Sequence, residues 1–355
     1  MKSYQFYFFL LLLVLLGCQG ASKKEGKVSK PMEQEAQVQQ VAEIQGQQLT
    51  GVAIYKKRLF VNFPRWRENV THSVSEIVSN NEFVPYPNQR WNSWQLGNPV
   101  NDSVFVAVQS VVALNGLLYV IDTRNPEFKG VIGQPIIFVF DLTTNQLVER
   151  YKLPETAFHS NSYINDLRID LKRKYAYFTD SGNPGLVLLN LENGATKRVL
   201  EGHVSTTSEM DVLTINNKEW KNTVHSDGIA FDPTTGMLYY HALTAYNLYA
   251  ISVDILINET PQNIEQSVQL VKKTAAPDGM IVHKEVLYYA DLENHKIMQL
   301  NLTTNTVTVL VEGDAIKWAD SFAIEEDYLY YTNSRIHEAQ AGVSDLVFSV
   351  NRVKL

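Results

Sequence analysis

Short apolar runs broken by Asp, Asn, Gly and Pro fill the chain from about residue 50 onward. Ser226 to Leu243, SDGIAFDPTTGMLYYHAL, shows the unit. Ile229-Ala230-Phe231 and Met237-Leu238-Tyr239-Tyr240 are β-prone, and Asp232-Pro233-Thr234-Thr235-Gly236 between them is turn chemistry. The pattern predicts two antiparallel strands opened by Asp227 and closed by His241.

The unit recurs five more times. Its opening positions are Thr50, Gln109, Asp166, Asp227, Asp278 and Asp320, and its closing positions are Asn62, Asp122, Asp180, His241, Asp291 and Asn333. Opening and closing residues lie 12 to 14 apart, and successive openings are 59, 57, 61, 51 and 42 residues apart. A β-unit repeating at this period predicts an all-β, six-bladed β-propeller around a central channel. Three outer hairpins repeat as well, at Asp141-Leu142-Thr143-Thr144-Asn145, Asn190-Leu191-Glu192-Asn193-Gly194 and Asn301-Leu302-Thr303-Thr304-Asn305. They bring the second, third and fifth blades to four strands. The sixth has its inner hairpin and Leu346 to Val350, so its fourth strand is expected from the N-terminal segment, at Val38 to Ile44. Recurrence of the Tyr pairs 239/240, 288/289 and 330/331 at one blade position points to packing.

Residues 1–17 carry a short apolar core, Phe8 to Leu16, and read as a lipoprotein signal peptide. Leu15-Leu16-Gly17-Cys18 looks like a lipobox, with cleavage before Cys18 and lipidation of that residue. An ordinary secretory signal with an incidental cysteine is the alternative. Cys18 is the only cysteine, so no intramolecular disulfide forms. Residues 18–48 read as the lipidated Cys and a polar, flexible tether, and 49–355 as the propeller. Gln19 is not the Asp that retains lipoproteins in the inner membrane of enteric bacteria, which favours an outer-membrane anchor. Two segments, Phe63 to Asp102 and Glu201 to His225, exceed the needs of a blade and are expected to carry loops over one channel end.

A net charge of −7 without a basic stripe argues against nucleic acid as a partner. Four openings are carboxylates: Asp166, Asp227, Asp278 and Asp320. Innermost strands line a propeller's axis, so these carboxylates are expected at the channel mouth as a ligand site, with Asp122, Asp180, Asp291 and Asn333 at the closing positions. Carboxylates about 8 Å apart repel by roughly 2 kcal/mol per pair at an effective dielectric of 20. They call for a metal cation, an amine ligand, raised pKa values, or Arg65, Arg124 or Arg335 as counter-charge. The competing reading is that each Asp caps its own turn. His241 is a candidate acid or base, or a hydrogen-bonded structural residue. No G-x-S-x-G, Walker loop, H-E-x-x-H or paired-Cys zinc pattern is present.

GVAIYKKRLFVNFPRW, YPNQRWNSW, SVVALNGLLYVIDTRN, INDLRIDLKRKYAYFTDSGNPGLVLLNLENGATKRVL and SDGIAFDPTTGMLYYHALTAYNLYAI, in that order, resemble the Yellow/major royal jelly protein family. The matches run from about residue 51 to 335. The resemblance implies a secreted six-bladed propeller with a ligand site at one channel end. Some insect members bind biogenic amines or sterols, and some act on dopachrome. Those proteins usually carry disulfides, which this chain cannot form, and it looks like a bacterial branch. PDGM at Pro277 is also similar to the senescence marker protein/gluconolactonase family, which holds a divalent cation in its channel. That similarity implies Ca2+ or another divalent cation on Asn165, Asp227 and Asp278. The first-blade opening, Thr50, has no Glu beside it, a departure from that family's ligand set. The expectation is therefore a lipid-anchored, exported propeller binding a small cationic or aromatic molecule at an acidic channel. The alternative is a metal-dependent lactone hydrolase or a dopachrome-type isomerase using the same channel.

Overall fold

The computed structural model describes Met1 and residues 37–355; the signal peptide, Cys18 and the first part of the tether lie outside the described residues. Six four-stranded antiparallel sheets follow one another as blades, each running from an inner to an outer strand. The inner strands are Val52–Tyr55, Val108–Leu114, Ile164–Asp170, Ser226–Asp232, Met280–His283 and Ala319–Glu325. Blade six ends as the strand pattern predicts. Its outermost strand is Gln39–Gln45, paired antiparallel with Val347–Lys354. Ala42 and Ile44 of that strand are buried, and Gln40 and Glu43 between and before them face out.

The hydrophobic core lies between the blades. One cluster joins Tyr177, Leu186 and Leu188 of blade three to Ile229, Leu238 and Tyr240 of blade four. Period-2 alternation explains the Tyr pairs. Tyr240 faces blade three, and Tyr239 joins Met280, Leu287 and Tyr289 of blade five. Tyr288 and Tyr331 meet in the next cluster, and Tyr330 turns towards blade one. Each pair therefore fills two inter-blade gaps at once.

The hairpin turns follow from their side chains. Asp141 Oδ1 accepts from the Thr143 and Thr144 amides at 2.9 and 2.7 Å. Asn190 and Asn301 repeat the arrangement in blades three and five. Asn145 and Asn305 then take the left-handed conformation, with φ of 57° and 58°.

Two expectations change. Phe63 to Asp102 is not wholly surplus, because it contains the outer strands of blade one, Val74–Ser79 and Glu82–Pro85. Their weak apolar alternation reflects partial exposure. Glu201 to His225 folds a hairpin, Val212–Ile215 with Lys218–Lys221, that buries Leu213, Ile215 and Trp220. Two short helices, Val253–Asn258 and Pro261–Gln266, interrupt blade four. Pro261 starts the second, and Thr260 caps it by accepting from the Asn263 amide. No helix among the described residues is long and apolar enough to cross a membrane.

Candidate functional site

The inner strands of blades two, three, four and six each carry a β-bulge at the start. Gln109, Asp166, Asp227 and Asp320 fall in these irregular stretches, where two residues oppose one and the side chain is re-aimed. Adjacent backbones come close there. A Cβ on Gly228 would stand 2.7 Å from the Asp278 carbonyl oxygen, and one on Gly279 would stand 2.8 Å from that of Asp320. The glycine after Asp227 and Asp278 thus permits neighbouring inner strands to converge.

A cavity of about 430 Å³ opens above these bulges. Asp227, Asp278 and Asp320 line it, with Trp66, Phe128, Tyr163, Trp220 and Trp318 as aromatic wall. Gln109 and Asn165 also line it and form a chain: Tyr163 OH donates to Gln109 Oε1, Gln109 Nε2 to Asn165 Oδ1, and Asn165 Nδ2 to Asp227 Oδ1, at 2.7, 2.8 and 2.8 Å. Trp318 Nε1 donates to Asp278 Oδ2 at 2.6 Å.

The four opening carboxylates are all buried, and Asp166, expected at the mouth with the others, does not line the cavity. Burial raises Asp227 far above the ordinary carboxylate range, with the charges of Asp166 and Asp320 adding to it. Asp278 is raised in the same way, by burial and then by Asp320 and Asp227, against the pull of the Trp318 donor. Burial followed by Asp166 pushes Asp320 up to about 8. Asp166 is raised by burial although Arg168 and the Ser110 hydroxyl oppose it. Burial thus favours the protonated form of each opening aspartate.

The closing residues do other work. Asp122 accepts from the Val106 and Ala107 amides at 2.7 and 2.8 Å. Asp180 accepts from the Ser162 hydroxyl, from the amides of Tyr163 and Asn183 at 2.9 Å each, and from Arg198 Nη1 at 2.9 Å. Asn333 Oδ1 takes the Lys317 and Trp318 amides at 2.8 Å each. Asp291 holds Asn294. None of Asp122, Asp180, Asp291 and Asn333 lines the mouth cavity; three of them clamp the chain that enters their own inner strand.

His241 lies opposite the bulge of blade four, where blades three and six have Thr179 and Thr332. Its Nδ1 meets the Ala242 carbonyl at 2.6 Å and its Nε2 the Thr274 hydroxyl at 3.1 Å. It is fully buried, its pKa is pushed down to about 4 by that burial, and it does not line the cavity. The geometry makes it a hydrogen-bonded structural residue.

The expected arginine counter-charges are engaged elsewhere. Arg65 donates to the Val106 and Trp94 carbonyls, Arg124 pairs with Asp102, and Arg335 pairs with Glu338. Arg168 is the arginine beside Asp166. Arg67 lines the mouth, but its guanidinium donates to Gln48 and the Ala339 carbonyl. The tryptophans divide. Trp66 donates to Tyr163 OH at the cavity, while Trp91 packs on Phe105, Phe138 and Phe140, and Trp94 lies under Arg65. Trp220 stacks edge-on against Trp318 at 5.0 Å, so the inserted hairpin builds part of the wall.

As placed, the donors do not fit a divalent ion. Asn165 spends its oxygen on Gln109, and one oxygen of Asp278 is taken by Trp318. Among the described residues no three His, Cys, Asp or Glu side chains form a metal-holding group.

The family model described as major royal jelly protein matches residues 106–353. Protein yellow of Drosophila yakuba is 28% identical over 232 residues, 59% of this chain and 42% of that protein. The chain thus spans about two fifths of the length of this curated relative. Among solved structures, a luciferin-regenerating enzyme superposes with a TM-score of 0.57 at 13% identity, over 90% of this chain and 95% of that one. A gluconolactonase of Xanthomonas campestris superposes at 0.53 and 12%, over 90% of each chain. At these identities the structural likeness concerns the fold alone.

Proposed function

Because the chain belongs to the major royal jelly protein family, we propose that it is an exported, lipid-anchored propeller binding a small cationic aromatic molecule at the channel mouth. The observation that carries this reading is the pairing of Asp227, Asp278 and Asp320 with an aromatic wall in one cavity of about 430 Å³. An ammonium group replaces the protons that the crowded carboxyls otherwise retain, and aromatic faces favour a cation beside them. Binding is then coupled to proton release, so affinity rises with pH towards the raised pKa of Asp320, at about 8.

The test is titration calorimetry with 2-phenylethylamine and its neutral isostere 2-phenylethanol. The amine is expected to bind at least tenfold more tightly, to bind better at pH 8 than at pH 6, and to lose at least tenfold on Asp278→Asn. Equal affinity for amine and alcohol sinks the reading. Calcium-dependent opening of simple lactones, abolished by Asp278→Asn, would replace it with the hydrolase alternative. The anchor rests on Leu15-Leu16-Gly17-Cys18. Cys18→Ala is expected to move the protein out of the membrane fraction, and an unchanged distribution removes lipidation from the proposal.

A further inference from the structure

At the channel end away from the mouth, all six blades enclose a second cavity, of about 590 Å³. Its wall is mainly apolar: Ile54, Val112, Leu114, Ile169, Phe231, Ile281, Val282, Phe322 and Ile324 with Ala53, Ala113 and Ala323. It shares no lining residue with the mouth cavity.

Two nitrogen-bearing side chains stand out in this wall. Arg168, on the inner strand of blade three, reaches across to donate through Nη2 to the Met280 carbonyl of blade five, and through Nη1 to the Leu167 carbonyl at 2.7 Å. Its Nε is buried and has no hydrogen-bond partner among the described residues. His283 Nε2, also buried, has none either. Both residues line the cavity. An unpaired buried donor costs about 1–3 kcal/mol, so the Arg168 Nε–H in this wall calls for an acceptor, as does His283 in its Nε2–H tautomer.

The surrounding charges sharpen that demand. Asp166 is the carboxyl nearest in sequence to Arg168, and burial shifts it towards its protonated form although the Arg168 charge opposes that shift. Asp170 is committed to Arg173, Tyr177 OH and the Lys172 and Arg173 amides. Lys172 and Glu326 also line the cavity, and Lys284 follows His283 in the chain. Arg168 therefore lines a mainly apolar chamber with its Nε unpaired among the described residues.

We infer that this chamber is a second ligand site, taking a small monocarboxylate with an apolar body. The carboxylate accepts from Arg168 and His283, and the hydrocarbon replaces water against the aliphatic wall. The site stands independently of the mouth, and nothing in the mouth reading requires it.

Full-length protein titrated with octanoate tests the inference, with n-octylamine as the cationic control. Saturable octanoate binding is expected, weakened at least tenfold by Arg168→Gln and abolished by Ala323→Trp, which fills the chamber from its own wall. n-Octylamine is expected not to compete, and Asp278→Asn, at the mouth, is expected to leave octanoate binding unchanged. Thermal melts establish that each variant is folded. If Arg168→Gln unfolds, wild type against Ala323→Trp decides. No saturable binding to wild type, or equal binding to Ala323→Trp, overturns the site. Loss on Asp278→Asn as large as on Ala323→Trp also overturns it, by placing octanoate at the mouth.

Discussion

Two buried acids of the repeat, Asp180 at a closing position and Asp227 at an opening one, differ in the hydrogen-bond donors around them. Asp180, at a closing position, is fully buried and collects amide, hydroxyl and guanidinium donors, so its oxygens are saturated. Asp227, at an opening position, is almost as buried, yet Asn165 is its one side-chain donor in the described residues. Burial alone does not decide whether a carboxylate stabilises a fold. The supply of donors decides it, because each donor offsets part of the lost hydration. Closing residues supply structural hydrogen bonds, whereas Asp227, Asp278 and Asp320 line the cavity at the channel mouth.

The largest effect that probes this contrast is expected from Asp180→Ala. It leaves Arg198 and several amides buried without their acceptor, and urea denaturation is expected to show a loss of about 3–5 kcal/mol. A loss below about 1 kcal/mol would dissolve the distinction between the two acids.

Next comes the pH dependence of stability. The opening carboxyls have folded pKa values above their unfolded ones, so between those values the native state binds more protons than the unfolded chain. Their contribution to stability is therefore expected to fall as pH rises from about 4, the ordinary carboxylate pKa, to about 8, the value for Asp320, while buried His241, lowered to about 4, contributes in the opposite sense between about 4 and its ordinary 6.5. Each carboxyl still protonated contributes a slope of about −1.4 kcal/mol per pH unit. Asp320→Asn is expected to flatten the curve and to raise stability at pH 8 by about 1–2 kcal/mol, while leaving pH 4 little changed. Equal stability of wild type and Asp320→Asn at pH 8 would contradict the placement of these groups.

The smallest effect is expected from Trp318→Phe. It removes the donor to Asp278 while keeping an aromatic wall. Amine affinity at the mouth is expected to fall about threefold, and stability by about 1 kcal/mol. A change in affinity with none in stability would mean that the indole acts on the ligand directly.

Much of this architecture was legible because it repeats. The Asp-Gly openings, the Asn and Asp hairpin turns and the Tyr pairs each recur, and each recurrence has one physical cause in the blade. The contrast between opening and closing acids was not legible. Both are Asp at a strand end, and only the bulge and the donors around it separate them. His241 illustrates the difficulty: counting residues aligns it with Asp180, but pairing across the bulge aligns it with Thr179. Trp318 and Arg168 carry no periodic signal, since their partners lie 40 and 112 residues away. The outer strands of blade one were hidden for another reason. Val78 and Val84 are exposed there, so the apolar pattern does not track the strands.

The pairing of Gln39–Gln45 with Val347–Lys354 has a consequence for the order of synthesis. A chain made from its N-terminus carries Gln39–Gln45 unpaired through five blades, because its partner, Val347–Lys354, is translated after them. Ala42 and Ile44 find their burial only when that partner arrives. The cost of joining segments so far apart grows only slowly with the intervening length. Closing so long a loop therefore adds little cost, and the clasp cannot form before Val347–Lys354 is made. Until Val347–Lys354 is made, Gln39–Gln45 has no partner strand, and their pairing completes the sixth blade and the ring.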